Sequence, residues 1–427
     1  MVDLKYGMEG YSVTLLQYAL GRAGMEAGKP DGIFGRRTAK ALQRFQREQG
    51  LAADGIAGKL TWAALYPYIC GYTLHRITAG DTLYQLANRY GITVEALRTA
   101  NPALDSAALP IGATMTVPLR MPVATHLIPY SGLLTGLILK GLIMRYPFLK
   151  AYEIGRSVMG QRLMAVSMGS GKKRVGYNAA HHANEWITVP LLLTFLEAYA
   201  EAYARGGTIG GVAAKALYES TTLHMVPLVD PDGVDLVTGA LSPLDSFYAQ
   251  ASALASYYPE IPFPSGWKSN ISGIDLNLQY PAGWETARRI KFSQGYTRPG
   301  PQDFVGSGPL IAPECRAIAD WTRQNDFALT ISYHTQGRAI FWRYGDENVP
   351  NARRIGEAMS RSSGYALEDT PYESGQAGYR DWFVQTWHRP GFTIEAGQGE
   401  NPLPLSRFEE IYGENLPILV QGMALSP

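Results

Sequence analysis

The spacing of hydrophobic positions changes character along the chain. Near the start they recur at helical intervals, at Val13, Leu16 and Leu20, then Ala41, Leu42 and Phe45, then Trp62 and Leu65, which predicts three short amphipathic helices. Two copies of one turn pattern separate them, Asp31-Gly32-Ile33-Phe34-Gly35 and Asp54-Gly55-Ile56-Ala57-Gly58, with Thr38 and Thr61 expected to cap the helices that follow. Residues 73–118 begin and end on strand patterns, the second being Met115-Thr116-Val117-Pro118. Between them lie two helical patterns, one carrying Leu83, Leu86, Ala87 and Tyr90, the other Val94, Leu97 and Ala100. After a linker at Pro118–Pro122, strands alternate with helices, which argues for an α/β domain. An opening hairpin is read at Tyr152–Gly155 and Leu163–Met168, a helix near Val189–Tyr203 and a strand near Thr222–Val229. From Ser242 to Pro309 the chain is rich in Pro, Gly, Tyr and Trp with little periodicity, the mark of long loops around a site.

Size and charge narrow the picture. A chain of 427 residues, 46% hydrophobic, is expected to fold as two or three domains. Lysine and arginine number 38 against 37 aspartates and glutamates, so no overall field favours nucleic acid or an anionic membrane, and neither partner is expected. The two cysteines, Cys70 and Cys315, fall in different predicted domains and are expected to be free thiols. The first residues show no basic start followed by an apolar run, so no signal peptide is read. The apolar stretch Leu133–Met144 is too short and too glycine-rich for a membrane span.

Candidate chemistry collects at the ends of three strand patterns. The run Val175-Gly176-Tyr177-Asn178-Ala179 leads into His181-His182-Ala183-Asn184-Glu185, and two later runs end in Tyr333-His334 and Ile394-Glu395. Ligands in open α/β sheets gather at the carboxyl ends of strands, so His182, Glu185, His334 and Glu395 are expected to share one crevice. Three of them suffice for a catalytic zinc with one open position, and the fourth for activating water. His181 is a rival ligand, though it stands four residues from Glu185 rather than three. His224, inside an apolar strand pattern, reads as a satisfied core histidine and His388 as a loop residue, while His75 and His126 lie outside or at the edge of this domain.

Three resemblances sharpen these expectations. Residues 1–68, through Val13–Gln17, Asp31–Gly35, Phe45-Gln46, Gly50-Leu51, Asp54-Gly55 and Thr61-Trp62, resemble the peptidoglycan-binding domain of cell-wall hydrolases. Residues 73–118, through Gly80-Asp81-Thr82-Leu83, Ile92-Thr93, Leu97, Asn101-Pro102 and Ile111-Gly112, resemble the LysM module, which implies binding to N-acetylglucosamine-containing glycan. No tryptophan is present there. Residues 122–427 resemble the zinc metallocarboxypeptidases, through His182-x-x-Glu185-Trp186, Pro231-Asp232-Gly233, Gly273-Ile274-Asp275-Leu276-Asn277, His334 and Phe392-Thr393-Ile394-Glu395. Trp267-Lys268-Ser269-Asn270 and Leu276-Asn277-Leu278-Gln279 are most similar to the γ-D-glutamyl-diaminopimelate peptidase branch. The expected architecture is therefore multidomain: a small helical bundle, a small α+β LysM module and an α/β carboxypeptidase-like catalytic domain on a mixed sheet.

The last resemblance implies roles. His182, Glu185 and His334 would hold one Zn2+, Glu395 would act as general base, and Asp275 would accept a hydrogen bond from the first zinc histidine. Asn277 and Lys268 match positions that hold substrate, Lys268 standing where an arginine is expected. Leu278 replaces the arginine that clamps a free C-terminal carboxylate, so cleavage is not tied to an ordinary peptide end. Tyr372 matches the family's mobile tyrosine, with Tyr379 as the alternative. Arg380, before Asp381-Trp382, would line the pocket floor and take the side-chain carboxylate of diaminopimelate. The expected activity is zinc-dependent hydrolysis of the γ-D-glutamyl-(meso-diaminopimelate) bond of peptidoglycan stem peptides, in a bacterial cell wall or on a spore. The competing readings are a muropeptide carboxypeptidase removing a C-terminal residue and an inactive wall-binding protein. The oligomeric state is left open.

Overall fold

The computed structural model describes residues 3–104 and 108–427. Its contacts divide it into two compact units, Met1–Ile128 with Leu133–Lys150, and Pro129–Gly132 with Ala151–Pro427.

In the first unit, the helices Tyr11–Arg22, Arg36–Glu48 and Lys59–Cys70 bury the expected positions, Val13, Leu16, Leu20, Leu42, Phe45, Trp62 and Leu65. The repeated Asp-Gly turns are each held by a buried glutamine. Gln17 Nε2 reaches Asp31 Oδ1 at 2.7 Å, the Ile33 carbonyl at 3.1 Å and Thr38 Oγ1 at 3.1 Å, while its Oε1 accepts the Gly32 N–H at 2.9 Å. Gln46 repeats this with Asp54, Ile56, Thr61 and Gly55 at 2.9, 3.0, 3.2 and 3.0 Å. Gly32 and Gly55 have φ of +78° and +73°, the left-handed region that glycine enters without strain. Thr38 and Thr61 are not the helix caps that the sequence suggests. The caps are Gly35 and Gly58, and the threonines sit inside the first turn with their hydroxyls on the glutamines. A glutamine arriving from the preceding helix outcompetes the local N–H groups for these hydroxyls.

Strands β1 (Tyr72–Arg76) and β2 (Thr114–Pro118) pair antiparallel around helices Leu83–Tyr90 and Val94–Ala100. Thr82 and Thr93 cap those helices by accepting from Gln85 N–H and Ala96 N–H. Asn101 Nδ2 joins the second helix to β2, donating to the Leu97 and Thr116 carbonyls, each at 2.7 Å. The apolar stretch after the linker is a helix, Gly132–Arg145. A side chain at Gly141 would meet the Cys70 carbonyl at 2.1 Å, and Arg145 donates to the Leu119 and Met121 carbonyls. Among the described residues no helix is long and apolar enough to cross a membrane. Cys70 and Cys315 are both buried free thiols.

The second unit is built on an eight-stranded mixed sheet. Its strands are β3 (Lys150–Arg156), β4 (Arg162–Met168), β5 (Lys173–Ala179), β6 (Thr221–Val226), β7 (Leu329–His334), β8 (Ala339–Phe341), β9 (Ala366–Glu368) and β10 (Gly391–Glu395), in the order β9-β8-β10-β7-β5-β6-β4-β3. The central strands β10, β7, β5 and β6 run parallel. β7 is buried along its whole length, with Thr330 and Ser332 buried among its apolar residues and Ser332 Oγ bonded to Asn178 Oδ1 at 2.7 Å. The stretch 242–309 departs from the loop expectation by containing helices Ser246–Ala255 and Trp284–Ser293 and a short turn, Leu276–Leu278. These helices bury only Ala251 and Ala255, and Trp284 and Ala287, so neither leaves a clear apolar stripe in the sequence.

The paired glutamine networks generate a test. Gln46→Ala strips the Gly55 N–H of its acceptor and leaves Thr61 and Asp54 without their shared donor, a loss of about 1–3 kcal/mol. Hydrogen exchange at the Gly55 amide should accelerate by roughly tenfold or more, with Gln17→Ala doing the same at Gly32.

Candidate active site

Three adjacent parallel strands end at one place. His334 closes β7, Glu395 closes β10, and the two are paired in register, while the chain leaving β5 carries His182 and the short turn Ala183–Glu185. The turn is fixed on both sides: Ala183 N–H donates to the Lys268 carbonyl at 3.0 Å, and Thr188 Oγ1 to the Glu185 carbonyl at 2.7 Å. Glu185 is 1% exposed. Its carboxylate meets His182 Nδ1 and His334 Nδ1 at 2.9 Å each, accepts the Thr335 N–H at 3.2 Å, and lies 3.3 Å from Lys268 Nζ. Together these groups line a cavity of about 580 Å³ with Asp275, Asn277, Leu278, Arg380 and Glu395.

The donor chemistry fits a zinc ion. One ligand atom from each of His182, Glu185 and His334 lies within 4.8 Å of the others, and the two Nδ1 atoms face each other at 3.3 Å. Asp275 Oδ1 lies 3.1 Å from His182 Nε2, which places the proton on Nε2 and leaves the Nδ1 lone pair turned to the shared point. Burial works against a charge on Asp275, but His182 holds its carboxyl below the usual range. Asp275 also accepts the Asn277 and Asp303 N–H groups at 3.0 and 3.1 Å, so the histidine's partner is itself held in place.

The remaining expected residues fall differently. Glu395 is half-buried on the cavity wall, where burial, opposed by His334, pushes its carboxyl above the ordinary value. Lys268 also faces the cavity, and although burial disfavours its charge, Glu185 and Asp275 hold the ammonium above its usual value. Asn277 lines the cavity while its Oδ1 accepts the Tyr379 N–H at 3.1 Å, so the amide nitrogen is what it offers inward. Arg380 lines the cavity too but is only 4% exposed, bonded through Nη2 to the Asp381 carboxylate and through Nη1 to the Arg343 carbonyl at 2.7 Å. Tyr372 is 69% exposed and outside the residues lining this cavity. Tyr379 is fully buried, its hydroxyl 3.0 Å from Thr322 Oγ1, which gives it a place in the core.

His181 is buried beside the site but bonds Tyr280 through Nε2 at 3.0 Å and stacks on His334, a supporting neighbour rather than a member of the His-Glu-His group. His224 bonds the Tyr152 hydroxyl, and burial with Arg174 nearby lowers its pKa to about 4, a neutral core histidine. His388 is exposed and paired with Glu347. Asp232 of the Pro231-Asp232-Gly233 motif lies behind the site, accepting Ser157 Oγ at 2.7 Å and Met159 N–H at 2.8 Å. Sequence reasoning missed the Lys291–Asp303 ion pair on the cavity wall, at 2.6 Å. Its residues lie in the aperiodic stretch, where no pattern singles them out.

The hydrogen bond from His182 makes Asp275 the test of this arrangement. Asp275→Asn should lower zinc affinity by roughly ten- to a hundredfold, read by competition with a chromogenic chelator.

Comparison with known proteins agrees with the geometry. A family model described as zinc carboxypeptidase matches residues 138–417. A peptidoglycan binding domain matches residues 9–65 and a LysM domain residues 75–118, so the chain carries modules of the kind that associate with cell wall. Over 287 residues it is 44% identical to gamma-D-glutamyl-L-diamino acid endopeptidase 1 of Lysinibacillus sphaericus, covering 67% of this chain and 70% of that protein. It is 34% identical to the uncharacterized protein YqgT of Bacillus subtilis (strain 168), covering 67% of this chain and 74% of that one. Among solved structures, the carboxypeptidase A of Helicoverpa armigera shares the fold, with a TM-score of 0.54 at 16% identity over 97% of this chain and 94% of that chain. Bovine thrombin-activatable fibrinolysis inhibitor does so with a TM-score of 0.53 at 18% identity, over 70% of this chain and 97% of that one. With two thirds of its length matched by the family model and the His-Glu-His group at its strand ends, the chain belongs to the zinc carboxypeptidase family of metallopeptidases.

Proposed function

We propose that this chain is a cell-wall peptidase that holds one zinc on His182, Glu185 and His334 and hydrolyses the γ-D-glutamyl-diaminopimelate bond of peptidoglycan stem peptides, with its N-terminal modules binding the wall. The observation that carries the reading is the convergence of those three side chains with Glu395 and Lys268 in one cavity. The 44% identity to an enzyme named for cleavage at γ-D-glutamyl-L-diamino acid linkages supports the choice of bond. Leu278 agrees with it, because a leucine cannot make the bidentate pair that would restrict the cavity to a free peptide terminus.

Zinc at this site would polarise the scissile carbonyl and lower the pKa of water. The protein supplies the rest. Glu395, with its raised carboxyl pKa, takes the proton from the attacking water and returns it to the leaving amine. The Lys268 ammonium stabilises negative charge developing on the carbonyl oxygen. Asn277 orients the substrate through its amide nitrogen. Arg380, with its charge already met by Asp381, offers the diaminopimelate side chain its remaining donor capacity. Tyr372, on an exposed loop, would reach the site only with a movement of that loop.

The wall-binding modules act by raising local substrate concentration rather than by chemistry. The same modules place the protein at the cell wall.

Glu395→Gln should keep its zinc, measured by atomic absorption, and lose roughly a hundredfold or more in kcat on a soluble L-alanyl-γ-D-glutamyl-diaminopimelate stem. His182→Ala and Glu185→Ala should each lose the metal. Products identified by mass spectrometry decide the bond: release of diaminopimelate from the γ-glutamyl group supports the reading, and removal of only a terminal D-alanine from longer stems overturns it. Arg380→Ala should lose about 1.5–3 kcal/mol in kcat/KM on diaminopimelate stems and little on lysine stems, which lack the side-chain carboxylate.

A further inference from the structure

The cavity wall made by the turn Leu276–Leu278 and the helix Trp284–Ser293 presents an ammonium that the reaction above does not use. Lys291 Nζ lies 2.6 Å from Asp303 Oδ1, with the two side chains 13% and 22% exposed, and both line the cavity with His182, Glu185 and Leu278. Asp303 is anchored in turn. Its N–H donates to Asp275 Oδ2 at 3.1 Å, and Asp275 Oδ1 meets His182 Nε2, so Lys291 is tied through two residues to a metal-ligand histidine. An ammonium has three N–H donors and Asp303 accepts one of them.

The cations among the described residues lining this cavity are Lys268, Lys291 and Arg380. Lys268 is drawn to Glu185 beside the reacting carbonyl, and Arg380, partnered by Asp381 and the Arg343 carbonyl, has its remaining donor capacity assigned above to the diaminopimelate side chain. Neighbouring Leu278 offers no polar group, so a charged part of the substrate lying along this wall has Lys291 to meet it. The proposed substrate carries such charges on both sides of the scissile bond. A γ-linkage leaves the α-carboxylate of D-glutamate free, and in a tripeptide stem diaminopimelate brings a free α-carboxylate next to the departing amine.

We infer that Lys291 is a specificity residue that binds a substrate α-carboxylate flanking the scissile bond, and that Asp303 is the positioning residue that aims it. This rests on the proposed function. It gives the enzyme a reason to prefer the γ-glutamyl-diaminopimelyl linkage, since an ordinary internal peptide bond has no free α-carboxylate on either side. A charge-assisted hydrogen bond made in both the bound and transition states lowers KM and leaves kcat in place.

The test uses the full-length zinc enzyme and three soluble stems: the unmodified tripeptide, the same peptide with the D-glutamate α-carboxylate amidated, and the same peptide with the diaminopimelate α-carboxylate amidated. On the unmodified stem Lys291→Met should raise KM about tenfold or more with kcat within about threefold, and Lys291→Arg should recover most of the loss. The penalty should vanish on one of the two amidated stems, which names the carboxylate that Lys291 reads. The parent alone provides a check independent of the folding of any variant, because it should lose a similar factor on that same amidated stem. An equal penalty for Lys291→Met on all three stems, or none on any, overturns the inference while leaving the proposed function standing. Failure of the parent to cut the γ-glutamyl bond in every stem overturns the proposed function and this inference with it.

Discussion

The Glu185 carboxylate is buried at the end of the central strands, and a buried charge is tolerable only when it is matched on every side. The Lys268 ammonium and the Thr335 N–H supply part of that match, and Nδ1 of His182 and of His334 turn to the same point, where a bound cation would complete it. These groups come from three segments, so the ends of β5 and β7 and the loop carrying Lys268 must all be in place before the carboxylate can be. The site is therefore assembled by the sheet as a whole. The in-register pairing of His334 with Glu395 extends this to β10, because a one-residue slip would turn the Glu395 side chain to the other face.

The loops over the sheet follow the same logic. Residues 267–275 are zipped to 301–304 by main-chain bonds from Lys268, Ser269 and Asp275 to Pro301 and Phe304. Asp275 closes the zip with its side chain, accepting the Asp303 N–H while holding His182. One carboxylate thus sets a histidine tautomer and fixes the loop carrying Asp303, whose partner Lys291 faces the same cavity from the helix Trp284–Ser293. On the proposed function, removing it would loosen metal binding and substrate selection together.

The first unit shows how a duplicated turn becomes a duplicated structure through one repeated side-chain contact. A turn with glycine at positive φ turns its N–H groups inward, and one buried glutamine satisfies the turn's polar groups and the threonine of the next helix at once. The device appears twice because Gln17 and Gln46 each reach the following turn from the helix before it.

Much of the site was legible in the sequence because its chemistry sits at strand ends. Buried parallel strands are mainly apolar and carry no charge in their middle, so His182, Glu185, His334 and Glu395 stand out as the ionisable groups that end them, and the preference of ligands for that edge says they meet. The helices of the binding modules were legible for the same reason, a regular period imposed by one buried face. Other features were decided by tertiary structure alone. Thr38 and Thr61 carry a capping residue's chemistry, and only a glutamine from another helix turns them to a different partner. Arg380 reads as a free cation until its charge is met by Asp381 and its Nη1 by the carbonyl of Arg343, a residue far from it in sequence. Lys291 and Asp303 lie in a stretch without periodicity, so nothing local links them to His182, Glu185 and His334. The sequence by itself determined which segments are buried and which chemical groups end them, because burial imposes a period on a chain. Which charges neutralise one another was left to the fold, because an ion pair depends on distance in space and imposes no period at all.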